Sequence, residues 1–230
     1  MLDESKLENR FVAAALKLAA ERPWTEVSLQ DIAERAGASL AELRKAFPSK
    51  SAILASFIRS VDDAVLARAP KPAPGEPARD RLFDVIMSRF DVLAPYKPGL
   101  KSIAAARPFD LDILCKAVAS QAWMLNAAGI ATDGPLGPVR VAGMGTVYAS
   151  VFQTWLDDED PGLARTMAAL DGRLKRAEQA MITLKDVCKV ACRLAEGLRK
   201  GASARQETAG SAGHTSGDDG GGAPIGYGRA

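Results

Sequence analysis

Between Ser28 and Lys50 stand several side chains whose types and spacing suit contact with a polyanion: Ser28, Ser39, Leu40, Arg44, Lys45 and Lys50. A guanidinium such as that of Arg44 can pair with the acceptors of a guanine edge, and lysines such as Lys45 and Lys50 can meet phosphates. Leu40 is suited to a thymine methyl. The elements that must hold these groups are legible in the same stretch, SLQDIAERAGASLAELRKAFPSK. Ser28 is a good N-cap, and Gln30 and Asp31 put polar and acidic groups in the first turn, where the helix dipole favours negative charge. Leu29, Ile32, Ala33 and Ala36 recur at helical spacing, and Gly37 is the residue that tolerates a left-handed C-terminal cap. Ser39 caps a second helix, with Leu40, Leu43 and Phe47 at the spacing of an inner face, and Pro48 ends it. Two short helices joined by a tight glycine turn form the unit that docks into the major groove, although such pairs also occur as plain packing units.

Other chemistry has little support. The one histidine, His214, lies in a glycine-rich tail, so neither serine nor cysteine nucleophiles have a base in the expected folded part. No enzyme is expected, and no cofactor. Cys188 and Cys192 sit one helical turn apart, but without a third nearby ligand they read as buried thiols, like Cys115. The net charge is only +2, and residues 1–60 hold nine Lys and Arg against eight Asp and Glu, so bulk charge does not announce a nucleic-acid partner. With 47% apolar residues in 230, the chain can bury a substantial core. No apolar run is long enough to span a membrane, and the charged start MLDESKLENR does not read as a signal peptide, so a cytoplasmic location is expected.

Apolar spacing predicts helices throughout. The first runs from about Ser5 to Glu21, with Phe11, Ala14, Ala15, Leu18 and Ala19 inward, and Trp24 plugs the small core behind it. A connecting helix runs from Ser49 to Arg68. The stretch APKPAPGEPA, 69–78, reads as an extended linker between a head, 1–68, and a body, 79–200, with a disordered tail over 201–230. Body helices are expected at 79–93, up to 106, 108–129, 139–156, from 162 into the 170s, and 177–200. The last has an apolar stripe through Met181, Leu184 and Cys188, with Lys185, Lys189 and Arg193 on another side. Such a helix packs on its own core or lies on a membrane surface. Gly143 and Gly145 permit close approach of another helix, from a second copy or from this chain.

Residues 10–58 resemble the N-terminal domain of the TetR family of bacterial regulators. The resemblance rests on AALKLAAERPWTEVSLQDIAERAG and on Ser39, Leu43, Phe47, Pro48, Ser49 and Lys50 at the family's positions. It implies an all-α homodimer, a three-helix head that binds a palindromic operator, a body that holds a ligand, and a connecting helix that moves with ligand occupancy. The recognition helix departs from the family pattern. Leu40, Ala41, Glu42 and Arg44 stand where a cation, a small residue, a hydroxyl and a tyrosine are common, and Glu42 would repel phosphates unless it accepts from a cytosine amino group.

A second resemblance covers residues 79–175. RDRLFDVIMSRFDVLAPYKPGL, then WMLNAAG, VYASVFQTWLDDEDP and LDGRL are similar to segments of the ubiquinone-biosynthesis accessory family, coenzyme Q protein nine, with a departure over 134–139. Trp123, Gly129, Asp133, Tyr148, Trp155 and Asp158 are the positions carried over. That resemblance implies the same fold used to carry a lipid or isoprenoid quinone beside a hydroxylase, with the last helix touching membrane. On either reading a small apolar ligand is expected among Phe90, Tyr96, Phe109, Trp123, Met124, Tyr148, Phe152 and Trp155, although aromatics at helical spacing also build plain cores. The leading expectation is a ligand-responsive DNA-binding regulator that dimerises through 139–156 and 162–176.

Overall fold

The computed structural model describes residues 3–69, 75–106, 111–184 and 186. Phe109 and the basic positions Lys185, Lys189 and Arg193 lie outside these residues, as do Cys188, Cys192 and His214. Residues up to Gln179 make one compact unit. A second unit begins at Ala180, and its described residues, 180–184 and 186, are helical.

The described chain is helical, without a strand. The helices are α1 (Leu7–Glu21), α2 (Leu29–Arg35), α3 (Leu40–Ala46), α4 (Lys50–Leu66), α5 (Ala78–Leu93), α6 (Lys97–Ala105), α7 (Leu111–Ala127), α8 (Gly137–Leu156) and α9 (164–179). A 3-10 turn at Trp24–Glu26 links α1 to α2. The stripe expected on α1 is buried, and it meets Ile32 of α2, Leu43 of α3 and Phe47 just beyond it. Phe11 and Phe47 meet edge to face with centroids 6.3 Å apart, a favoured aromatic geometry. Trp24 closes this core from one end.

No boundary between compact units falls at 69–78. The α4 helix buries Phe57, Val61 and Val65 while packing on α7 and α5, and α1 packs along α6. Head and body therefore share one apolar interior.

Three expectations need correction. Cys115, expected as a buried thiol, is exposed on α7. The α8 helix starts at Gly137, two residues early, because Pro138 suits the first helical turn, where its missing N–H costs nothing. Residues 164–179 and 180–184 are each helical, so no coil marks the division expected near 177, where neither a proline nor a capping glycine stands. Of the two alternatives for Gly143 and Gly145, packing within the chain holds for Gly145, where a Cβ would meet Val118 of α7 at 3.2 Å, whereas Gly143 has nothing within 4 Å among the described residues. Asp158 and Asp160 build the turn into α9. Asp158 accepts from the Thr166 N–H at 2.9 Å and its hydroxyl at 2.7 Å, and Asp160 accepts from the N–H groups of Gly162 and Ala164.

Candidate nucleic-acid interface

Both helices of the reader begin with a reciprocal capping box. Ser28 Oγ accepts from the Asp31 N–H at 3.1 Å while Asp31 accepts from the Ser28 N–H at 2.8 Å. Ser39 Oγ accepts from the Glu42 N–H at 3.2 Å and Glu42 accepts from the Ser39 N–H at 2.8 Å. Each box satisfies two donors that a helix start leaves open. Glu42 is therefore a structural cap, which accounts for an acid at this place. The Ser39 hydroxyl and amide hold its carboxyl below the ordinary carboxylate range, and the amide and hydroxyl of Ser28 do the same for Asp31.

The turn between the helices is fixed from α1. Gly37 has φ of 65°, a left-handed conformation that a side chain resists. Arg10 donates through Nη2 to the carbonyls of Ala36 and Gly37.

On α3 the inner residue is Leu43, buried to 1% exposure. Leu40, expected inward by spacing, is 49% exposed, because the cap geometry turns the first residue of α3 outward. Ala41, Arg44 and Lys45 are exposed beside it. The near-neutral charge of the head resolves into two populations of cations. Arg10 clamps the turn, Arg22 pairs with Asp31 at 2.6 Å, Arg35 with Glu21 at 2.6 Å, and Lys17 with Glu4 at 3.1 Å. Arg44 and Lys45 form no ion pair among the described residues.

Lys50 belongs to the first population. Its ammonium donates to the carbonyls of Trp24 at 2.7 Å and Val27 at 2.6 Å, and lies 4.1 Å from the Trp24 ring centroid. Burial pulls its pKa down, with Asp31 opposing. A phosphate contact is a poor description of a side chain so engaged.

In the body the expected ligand residues separate. Phe90, Tyr148, Phe152 and Trp155 stack on one another at centroid distances of 5.3 to 5.8 Å, and Phe90 and Trp155 are almost wholly buried. Met124 is fully buried against this core, and Tyr96 meets Phe57 edge to face at 5.1 Å. Trp123 stands apart, 58% exposed on α7. Beside the stack lies a charged knot that the sequence analysis did not find, made by Asp62, Arg89, Ser120 and Tyr148. Its signal was present: Asp62 and Arg89 fall on the apolar stripes of α4 and α5, next to Val61 and Phe90. Gln121, fully buried, donates through Nε2 to Ala117 O, while its Oε1 has no hydrogen-bond partner among the described residues. Two cavities, of about 560 and 390 Å3, lie away from the aromatic stack, one between α1 and α6 and one between α5 and α9.

A three-helix reader joined through a long helix to a helical body is the architecture of the TetR-type regulators. Residues 11–57 match the family described as bacterial regulatory proteins, tetR family. The fold is similar to that of a TetR transcriptional regulator from Nitrosomonas europaea ATCC 19718, at a TM-score of 0.59 and 24% identity over 75% of this chain and 98% of that one. It is also similar to a TetR transcriptional regulator from Rhodococcus sp. RHA1, at a TM-score of 0.55 and 19% identity over 75% and 96% of the two chains. No curated protein matches the sequence. The head is thus a TetR-type helix-turn-helix domain on an all-α, TetR-like fold, and nothing in these comparisons supports the similarity to the ubiquinone-biosynthesis family.

Proposed function

We propose that this protein is a DNA-binding transcriptional regulator that acts as a homodimer and responds to a small apolar ligand. The observation that carries the reading is the outer face of α3. There Leu40, Ala41, Arg44 and Lys45 are exposed, and the two cations form no salt bridge among the described residues while most neighbouring cations are engaged. Arg44 would reach a base edge, Lys45 a phosphate and Leu40 a thymine methyl. Ser28 and Ser39 act indirectly, by setting the helices that present these groups. Ligand sensing is assigned to the body, where Gln121 Oε1 offers a buried acceptor to a ligand hydroxyl or amide beside Met124 and the aromatic stack.

Retention of fragmented genomic DNA by the purified protein at moderate salt, followed by sequencing, tests this reading. Enrichment of a palindromic fragment that disappears with Arg44→Ala is expected. Retention no better than bulk DNA would overturn it.

The exposed Leu111, Leu114 and Trp123 of α7 favour a second reading, a carrier of lipid or isoprenoid quinone that keeps the fold without binding DNA. It requires co-purifying lipid, and liposome binding that weakens when Lys185, Lys189 and Arg193 are neutralised. Protein that is free of lipid and indifferent to liposomes would dismiss it.

A further inference from the structure

The larger cavity, about 560 Å3, lies between the end of α1, the 3-10 turn and α6, and neither DNA reading nor the body aromatics uses it. Its volume falls in the range of small-molecule sites. Ala20, Trp24, Pro98 and Ala105 give it apolar walls. The cleft is built rather than left over. The α6 backbone runs so close to α1 that a Cβ on Gly99 would stand 2.5 Å from Leu16 O. Ser102 Oγ ties the two walls by accepting from the Trp24 N–H at 2.9 Å and donating to Arg22 O at 3.3 Å.

Charge decides what would fit. The one carboxylate in the lining, Glu21, is paired with Arg35 through two contacts at 2.7 and 2.6 Å. The cations are Arg22 and Lys101. Arg22 lines the cleft and reaches Asp31 through Nη2 at 2.6 Å, with its side chain still 38% exposed. Lys101 meets Asp157 at 3.3 Å with both side chains more than half exposed, a loose pair that a competing anion can displace.

We infer that this cleft is a second ligand site that takes a small apolar carboxylate, its ring against Trp24 and Ala105 and its anion shared by Arg22 and Lys101. Such a ligand touches the head through the end of α1 and the body through α6. It shifts whatever balance of head positions it binds unequally. The site goes beyond the proposed body sensor, and its test needs no DNA, so failure of the DNA reading would leave it standing.

The full chain is titrated calorimetrically with 2-naphthoate, and with 2-naphthalenemethanol as the uncharged counterpart. Saturable naphthoate binding is expected, with the alcohol weaker by about 10-fold. Ala105→Trp, which fills the cleft without touching an ion pair, should weaken naphthoate binding by at least about 10-fold, and Lys101→Gln by about 5-fold. Thermal melts establish that each variant is folded; should Ala105→Trp fail to fold, Lys101→Gln decides. No saturable binding by the unaltered chain, or naphthoate affinity unchanged in the folded variants, overturns the inference.

Discussion

Arg89 on α5 donates through Nη1 to Asp62 on α4, and both side chains are buried, at 4% and 10% exposure. Ser120 from α7 donates to the same carboxylate oxygen at 2.6 Å, and Arg89 Nε donates to Tyr148 Oη from α8 at 3.1 Å. One charged knot thus pins the connecting helix to three helices of the body. Breaking a buried pair from one side strands a charge, so Arg89→Met is expected to cost about 3–5 kcal/mol in urea unfolding. Arg89→Met with Asp62→Leu should recover most of that loss, because replacing both charges with apolar groups is close to neutral. A double variant no better than the single one would shift the credit to the bonds with Ser120 and Tyr148.

The capping boxes make the reader sensitive to acid. Ser39→Ala removes one cap and should cost about 1 kcal/mol. Hydrogen bonds from Ser39 and Ser28 keep Glu42 and Asp31 ionised in the folded head at lower pH than in the unfolded chain. A depressed folded pKa contributes stability above the unfolded value, about pH 4, which is lost as pH falls through the folded value. Melting curves should therefore be flat near neutrality and fall below about pH 4, with Glu42→Gln giving a shallower fall. An identical slope in that variant would refute the assignment.

Lys45 and Lys50 should behave oppositely. Lys50→Met strips the carbonyls of Trp24 and Val27 of a charged donor, and is expected to lower stability by about 1.5–3 kcal/mol. It should leave the salt dependence of DNA binding unchanged in folded protein. Lys45→Ala should leave stability within about 0.5 kcal/mol and reduce the salt slope by about 1. Fluorescence anisotropy across a salt series separates the two.

Two aromatics expected to share one pocket should differ in the same way. Phe90 is fully enclosed, so Phe90→Ala should cost about 3–5 kcal/mol. Trp123 is exposed, and Trp123→Ala should change unfolding of the single chain by no more than about 0.5 kcal/mol. A large loss from Trp123→Ala would mean that its face is covered in solution.

What the sequence made legible was local. Ser28, Gly37, Ser39 and Pro48 punctuate the reader through backbone chemistry that acts within a few residues, and the stripe on α1 has one strong period. Spacing alone was a weaker guide to facing: Leu40 follows the period of Leu43, yet it turns outward at the helix start. Lys50 matched a motif, but its engagement with Trp24 joins residues 26 apart in sequence. The knot at Arg89 needs helices from four parts of the chain, and no local pattern carries that. Trp123 was read as interior because α7 is apolar on several sides, and only the packing of α7 on α4 and α8 decides which side is covered.

The grip of Arg10 on the carbonyls of Ala36 and Gly37 separates grammar from vocabulary in this head. The turn between the two helices is held by a residue of α1 that is no part of the exposed face of α3. The letters on that face, Leu40, Ala41, Arg44 and Lys45, can be rewritten without disturbing the hinge that aims them. If that face reads DNA as proposed, changing its outer residues alone would give the head a new target sequence.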